Sequence, residues 1–200
     1  MRKQPILPTA IPSRLTNRNQ YKIKIPAKGV NGMKPLVLCY SFTGKTKRIC
    51  GNLAKTLGAD FVELKEIAHR NKFSAFTSGV LKARRRLSSD IRPVHSDIAS
   101  YDCLIVATPV WARSVTPAMN DFLREYDISG KKVYGLLVYS NNPENAADML
   151  REEIEKQGAV CPNVLTFQGD EAHMAELRSG KKVFAVDEQD HLVLAEGTVQ

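Results

Sequence analysis

The chain has 200 residues, of which 43% are hydrophobic, and its formal net charge at pH 7 is +8. A chain of this size can bury one sizeable core, so we expect a single domain with extensions. No apolar run approaches the roughly 20 residues that a transmembrane helix needs, which predicts a soluble protein without stable membrane insertion. Four cysteines (Cys39, Cys50, Cys103 and Cys161) lack C-x-x-C spacing, which favours buried, reduced thiols in a cytoplasmic protein over disulfides or a metal site.

The positive charge is concentrated at the start of the chain. Residues 1–59 contain twelve Lys and Arg and no Asp or Glu, whereas residues 60–200 contain seventeen Lys and Arg against twenty-one Asp and Glu. Such a field could attract nucleic acid, an anionic membrane surface or an acidic redox partner. The alternative is a solvated basic tail that aids solubility. Because charge runs specify partners only weakly, nucleic-acid binding is not favoured.

The first segment, residues 1–33, is interrupted by prolines at positions 5, 8, 12 and 26 and has no sustained hydrophobic period. This pattern predicts a basic N-terminal arm, extended in conformation, with a short strand at residues 21–25.

From residue 34 the sequence alternates between apolar strands and helices. Strands are predicted at Leu36–Tyr40, 61–64, 103–107 and 133–139 and within 159–167, and helices at Lys45–Leu57, 116–126 and 143–157. This alternation predicts an α/β fold with a doubly wound, five-stranded parallel sheet. The favoured strand order is 2-1-3-4-5, with helices on both faces.

Two segments depart from this alternation. Residues 73–87 could form a helix whose basic side chains dock an NADPH phosphate or an acidic partner, but a solvated helix face is favoured because the run carries no motif. Residues 169–200 predict a helix at Glu171–Arg178 and then an appended C-terminal β-hairpin, from strands at 182–186 and 191–195. The predicted organisation is therefore an arm (1–33), a core domain (34–168) and a C-terminal extension (169–200).

A short hydroxyl-rich loop joins the first predicted strand to the first helix, with the sequence Ser41-Phe42-Thr43-Gly44-Lys45-Thr46. It gathers backbone N–H groups, three hydroxyls and a helix N-terminus around one small volume. Such a volume suits a terminal phosphate, because helix N-termini carry unpaired donors and partial positive charge. The full G-x-x-x-x-G-K-[ST] pattern of an ATPase loop is absent. The alternative is an ordinary strand–helix turn.

A second loop, Thr108-Pro109-Val110-Trp111-Ala112-Arg113-Ser114, follows the third predicted strand. In the expected strand order, ligands bind between the first and third strands, outside their carboxyl ends. Trp111, the only tryptophan, could pack against a planar ligand there, or could cover the sheet end without touching one. Pro109 would rigidify the loop, and Arg113 could neutralise charge on a ligand ring, bind substrate or face water.

Together these two loops resemble those of the flavodoxin family, and the pair is more specific than either loop alone. The S-x-T-G-x-T spacing of residues 41–46 is similar to the flavodoxin phosphate loop. The second loop is similar to the G-[ST]-P-x-W segment of a microbial branch, with Ala107 in place of the usual glycine. The resemblance covers roughly residues 34–168 and implies a flavodoxin-like fold with non-covalently bound FMN. It implies that the phosphate lies at the first loop and the isoalloxazine ring at 109–112.

The loop after the fourth predicted strand departs from the family's pattern. Related proteins often have a Gly-rich or aromatic-acidic segment there, whereas this chain has Tyr139-Ser140-Asn141-Asn142-Pro143. Tyr139 could stack on the ring and the Asn side chains could hydrogen-bond its edge, or the segment could be only a turn and helix cap. The candidate cofactor-binding residues are Ser41, Phe42, Thr43, Gly44, Lys45, Thr46, Thr108, Pro109, Val110, Trp111, Ala112, Tyr139, Ser140 and Asn141.

Three functions follow, and the paired loops favour those that use flavin. The leading hypothesis is an FMN-binding, flavodoxin-like electron-transfer protein that works with a redox partner protein. The first alternative is an NAD(P)H-dependent FMN or quinone reductase, with 84–86 or Arg113 binding the nucleotide. The second is a flavin-less module of the same fold that acts in binding or regulation through its basic arm. Electron-carrier flavodoxins are usually acidic, so the basic charge indicates different partners.

Overall fold

The computed structural model describes residues 23–24, 35–67, 90–180, 184–186 and 191–194. Its strands are β1 (Ile23–Lys24), β2 (Leu36–Tyr40), β3 (Asp60–Leu64), β4 (Cys103–Pro109), β5 (Lys132–Tyr139), β6 (Val164–Gln168), β7 (Phe184–Val186) and β8 (His191–Leu194). Its α-helices are α1 (Lys45–Leu57), α2 (Pro117–Glu125), α3 (Ala146–Lys156) and α4 (Glu171–Arg178).

Five strands form one parallel sheet in the order β3-β2-β4-β5-β6. Counted among these five alone, this is the order 2-1-3-4-5, which confirms the predicted fold class. The two neighbouring strands β2 and β4 are buried along almost their whole length, as expected for the centre of a parallel sheet. Cys39 pairs with Ala107, so the loops that follow β2 and β4 leave the sheet side by side at one edge.

The helices cover both faces of the sheet, and each face has its own hydrophobic core. On one face, α1 and α4 pack against Val37, Ile105 and Leu136. On the other face, α2 and α3 pack against Leu38 and Val106. The alternating inward and outward side chains of each strand therefore contribute to two cores, which is the doubly wound arrangement.

Gly135 in β5 allows helix α3 to approach the sheet closely. A Cβ atom at this position would stand 2.8 Å from Leu150 Cδ2 and 2.9 Å from Val164 Cγ1. Such separations are well inside van der Waals contact, so the residue at this position has to lack a side chain.

A second, smaller sheet in the order β1-β8-β7 is attached to the α1 face. Strands β7 and β8 pair antiparallel, as the predicted hairpin requires, and β1 of the N-terminal segment pairs antiparallel with β8. Phe184 of β7 is buried, with its ring centroid 5.7 Å from that of Phe167. The Thr56 hydroxyl of α1 donates a hydrogen bond to the Phe184 carbonyl (3.2 Å).

Most predicted boundaries agree with the structure to within two residues, but the helix predicted at 143–157 was placed too early. Glu144 has a left-handed φ of 44°, which interrupts the helical path, and α3 begins only at Ala146. The predicted basic helix at 73–87 and nearly all of the arm lie outside the described residues. Within the described parts of the chain, no helix is long and apolar enough to cross a membrane.

Candidate functional site

A cavity of about 500 Å³ opens at the carboxyl edge of the parallel sheet. It lies between the loops that follow β2, β4 and β5. The strand order reverses between β2 and β4, so the cavity includes the reversal point of the sheet. Its lining residues are Phe42, Thr43, Lys45, Thr46, Pro109, Val110, Trp111, Ala112, Arg113, Val138, Tyr139, Ser140, Asn141, Asn142, Glu144 and Gly169. Both the position and the volume are typical of a cofactor or small-molecule site.

One end of the cavity is formed by residues 41–46 and the N-terminus of α1. Gly44 precedes the helix with a φ of 83°, a left-handed conformation that favours glycine, and no side chain caps the helix. The first turn contains no acidic residue but has Lys45, Lys47 and Arg48. Cations are unfavourable beside the positive end of a helix dipole. Lys47 is paired with Glu63 (2.8 Å), and a bound anion would compensate for the other two.

The side chain of Ser41 gives a second indication of a polar ligand at this end. Its hydroxyl oxygen is buried and has no hydrogen-bond partner among the described residues. Burying a hydroxyl without a partner costs about 1–3 kcal/mol, so natural proteins rarely leave one in this state. An oxygen-rich ligand at the helix N-terminus would supply the missing partner.

Lys45 connects this end of the cavity to the segment that follows β6. Its ammonium group donates a hydrogen bond to the Gly169 carbonyl (3.2 Å). The Gly169 N–H in turn donates to the Tyr139 carbonyl (2.8 Å), which belongs to the opposite wall. The two hydrogen bonds of Gly169 therefore tie the α1 end of the cavity to the loop after β5.

The other end of the cavity is aromatic. The Trp111 ring packs edge-to-face against Tyr40, with centroids 5.9 Å apart, and against Phe42, with centroids 5.7 Å apart. These contacts fix the indole ring while leaving it half-buried at the cavity wall. A planar ligand would find a large, pre-oriented apolar surface there.

The turn that follows Trp111 has a strained backbone. The N–H groups of Trp111 and Ser114 each donate to the other residue's carbonyl (both 3.0 Å), which closes a two-residue turn. Its central residues, Ala112 and Arg113, have φ values of 48° and 64°. Turns of this kind favour Asn-Gly, because left-handed backbone costs other residues about 1–2 kcal/mol each. Strain of this kind is concentrated at functional sites.

The third wall, residues 139–144, is polar and exposed apart from Tyr139 and Pro143, which are half-buried. Burial, with a smaller effect of the Asp170 charge, raises the pKa of the Tyr139 phenol. Its hydroxyl therefore stays protonated at neutral pH and can donate a hydrogen bond. The Asn142 side-chain oxygen accepts from the Glu144 N–H (2.9 Å), and the Glu144 carboxylate forms an ion pair with Arg113 Nε (2.9 Å).

Most of the predicted site residues line this cavity, and three of them do not. Ser41 and Gly44 shape the α1 end without forming part of its wall. Thr108 is fully buried, and its hydroxyl is hydrogen-bonded to that of Thr116 (2.7 Å). This pair holds together the base of the loop after β4, so Thr108 supports the wall rather than facing the cavity.

Five wall residues are not among the candidate cofactor-binding residues. Arg113 and Asn142 lie in loops that the sequence analysis considered, whereas the other three escaped it altogether. Val138 is the penultimate residue of a buried strand and carries no signal of its own. Glu144 could have been found only through its spatial relation to Arg113, which the sequence does not reveal. Gly169 lies one residue beyond the predicted core domain. It contributes a backbone carbonyl, and residue type does not reveal such a contact.

Fold and site together define an α/β protein with a cofactor-sized cavity at the reversal point of a doubly wound sheet. The model of the flavodoxin family matches residues 34–170, which is more than half of the chain. The chain therefore belongs to the flavodoxin family, as the two loops indicate.

Solved structures share this fold at low sequence identity. The flavoprotein from Lactobacillus acidophilus NCFM, solved in complex with FMN, is 15% identical, with a TM-score of 0.59, covering 72% of this chain and 98% of that chain. A protein from Bacteroides eggerthii DSM 20697 is 18% identical, with a TM-score of 0.59, covering 74% of this chain and 94% of that chain. No curated protein matches the chain.

Proposed function

We propose that this protein binds FMN non-covalently in the cavity and acts in electron transfer. The observation that carries the proposal is the cavity itself. One end has a cationic helix N-terminus and, behind its wall, a buried hydroxyl without a partner among the described residues; the other end has a fixed tryptophan. These two ends match the two chemical parts of FMN, a phosphate monoester and a planar ring. Family membership and the FMN complex of the Lactobacillus acidophilus flavoprotein support the same cofactor.

The residues at the α1 end fit a phosphate. The Ser41 hydroxyl has no partner within the residues that the structure describes, and Thr43 and Thr46 offer two more hydroxyls. The first turn of α1 contains no acidic residue. Lys45 adds a positive charge at the cavity wall. A phosphate takes many hydrogen bonds in a small volume, which is what this donor set provides.

The residues at the other end fit an aromatic ring system. Trp111 and Tyr139 lie on different walls of the cavity, and Pro109 and Val110 add apolar surface to its lining. The exposed amides of Asn141 and Asn142 can hydrogen-bond the polar edge of a ring.

When bound, FMN supplies the redox chemistry, because it exchanges one or two electrons reversibly. The protein's own residues would hold the phosphate at α1 and the ring at Trp111 and Tyr139, and the exposed loops would be the side open to a partner. No catalytic side chain is required for this role. The redox partner is a second protein or NAD(P)H.

The decisive measurement is the visible absorption spectrum of the purified protein, after adding FMN and removing the excess. Flavin bands that stay with the protein, bleach with dithionite and return in air support the proposal. A colourless protein that retains no FMN would overturn it and favour a flavin-less module.

The same sample distinguishes an electron carrier from an NAD(P)H-dependent reductase. A carrier needs a partner reductase, so NADPH alone should leave the flavin oxidised. Steady-state oxidation of NADPH by the FMN-loaded protein, with a quinone as acceptor, would instead favour the reductase.

A further inference from the structure

Two of the loops around the cavity are joined by an ion pair at the cavity wall. Arg113, in the turn after β4, and Glu144, in the loop after β5, both line the cavity, with Arg113 Nε 2.9 Å from Glu144 Oε1. The Arg113 side chain is 70% exposed and that of Glu144 35% exposed. Water screens the attraction between the two charges, but both charged side chains lie at the cavity wall.

The backbone at both residues is strained. Ala112, Arg113 and Glu144 are the non-glycine residues with positive φ in the described parts of the chain, and all three belong to the cavity wall. An exposed ion pair contributes too little stability to hold three such residues in place. Residues held in such conformations cluster at functional sites, and two of these three carry the opposed charges.

The charges of the cavity wall divide between its two ends. Among its lining residues, the charged ones are Lys45 at the α1 end and the opposed pair of Arg113 and Glu144 in the loops after β4 and β5. In wild-type protein the pair presents almost no net charge to the cavity. Changing either member leaves one charge unbalanced.

We propose that Arg113 and Glu144 act as an opposed charge pair that sets the relative affinity of this site for oxidised and reduced FMN. The inference rests on the proposed FMN binding. Two electrons and one proton convert the oxidised ring into a reduced ring that carries a negative charge near neutral pH. Arg113 favours this anion and Glu144 disfavours it, so their balance sets the relative affinity of the site for the two forms.

The test uses the charge-neutral variants Arg113→Gln and Glu144→Gln in the full-length chain. For each protein, the dissociation constants of oxidised FMN and of dithionite-reduced FMN are measured by anaerobic titration; dithionite supplies both electrons and water the proton. Glu144→Gln should raise the ratio of the oxidised to the reduced dissociation constant about fivefold, and Arg113→Gln should lower it by a similar factor. The double variant should return close to the wild-type ratio, and the shifts should shrink as salt is added.

Matched controls are Glu155→Gln and Lys156→Gln, two exposed charges at the far end of α3 from the cavity. They remove one charge of each sign and should leave the ratio unchanged. A purely structural clasp between the loops would weaken both forms of FMN equally in both variants. Equal weakening, or a shift of the same sign in both variants, overturns the inference alone. A wild-type protein that retains no FMN overturns the proposed function and this inference with it.

Discussion

Replacing Ser41 by alanine should have opposite effects on stability and on FMN binding. In the FMN-free protein the hydroxyl oxygen is buried and has no partner in the described part of the chain, which costs about 1–3 kcal/mol. Ala removes the hydroxyl and leaves a small void, so we expect the free energy of unfolding to rise by about 1 kcal/mol. In the complex the same change removes a hydrogen bond to a charged phosphate, which is worth about 1.5–3 kcal/mol. The dissociation constant of FMN should therefore increase about tenfold to hundredfold.

Two measurements on the same variant test this reasoning. Urea unfolding of FMN-free protein gives the change in stability, and fluorescence titration gives the dissociation constants of FMN and riboflavin. Riboflavin has the same ring but no phosphate. Its affinity should change little in Ser41→Ala, because the hydroxyl is expected to act on the phosphate alone.

Thr116→Val is the matched control, since it removes a buried hydroxyl that has a partner. The Thr116 hydroxyl is 2.7 Å from that of Thr108, so its loss should destabilise the FMN-free protein by about 1 kcal/mol. If Ser41→Ala also destabilised the FMN-free protein, the hydroxyl would have a partner and the premise would be wrong. If it weakened riboflavin and FMN equally, Ser41 would not be a phosphate ligand.

Three further predictions test the packing of the fold, the aromatic wall and the thiols. Gly135→Ala should lower the free energy of unfolding by about 1–3 kcal/mol, because its Cβ would overlap Leu150. Gly51 lies in the interior of α1 with open space around it, so Gly51→Ala should raise the free energy of unfolding by up to about 1 kcal/mol. Unfolding curves that show a change of the same sign for both variants would contradict this packing. Trp111→Ala should weaken FMN and riboflavin alike in fluorescence titrations, and unchanged affinities would show that the ring does not pack on Trp111. Burial raises the pKa of the Cys103 and Cys161 thiols to about 11. DTNB should therefore label neither thiol in native protein at pH 8. Rapid labelling before unfolding would show that these thiols are accessible.

Much of the fold could be predicted because local and tertiary signals agree in the central part of the chain. The apolar run at β2 is buried on both faces, as continuous apolar strands of parallel sheets usually are. Helix α1 begins and ends at the predicted residues, because glycines with left-handed backbone stand at both of its ends, Gly44 and Gly58. Where residue type and backbone geometry coincide, sequence reasoning is accurate.

The start of α3 and the ion pair at the cavity wall could not be predicted in this way. Pro143 is a common residue at the first turn of a helix, but here it belongs to the preceding turn, because Glu144 adopts a left-handed conformation that its residue type does not favour. Ala112 and Arg113 form a tight turn without the Asn-Gly signature of such turns. At these positions tertiary structure overrides local preference, and the sequence contains no sign of it.

The pairing of β1 with β8 escapes prediction for a different reason. Two residues of the N-terminal segment pair with a strand almost at the other end of the chain. A strand of two residues has no measurable hydrophobic period. Its pairing depends on contacts in the folded protein rather than on neighbouring residues in the sequence.

The role of Gly169 shows that the functional unit continues beyond the last strand of the sheet. Its carbonyl holds Lys45 at the α1 end of the cavity, and its N–H binds the Tyr139 carbonyl on the opposite wall. The next residue, Asp170, caps α4 by accepting from the His173 N–H (3.0 Å), and α4 buries Met174 in the core beside α1. A displacement of α4 would therefore move both ends of the cavity together. The cavity wall therefore includes Gly169, one residue beyond the predicted boundary of the core domain, and its geometry depends on the anchoring of α4 that follows.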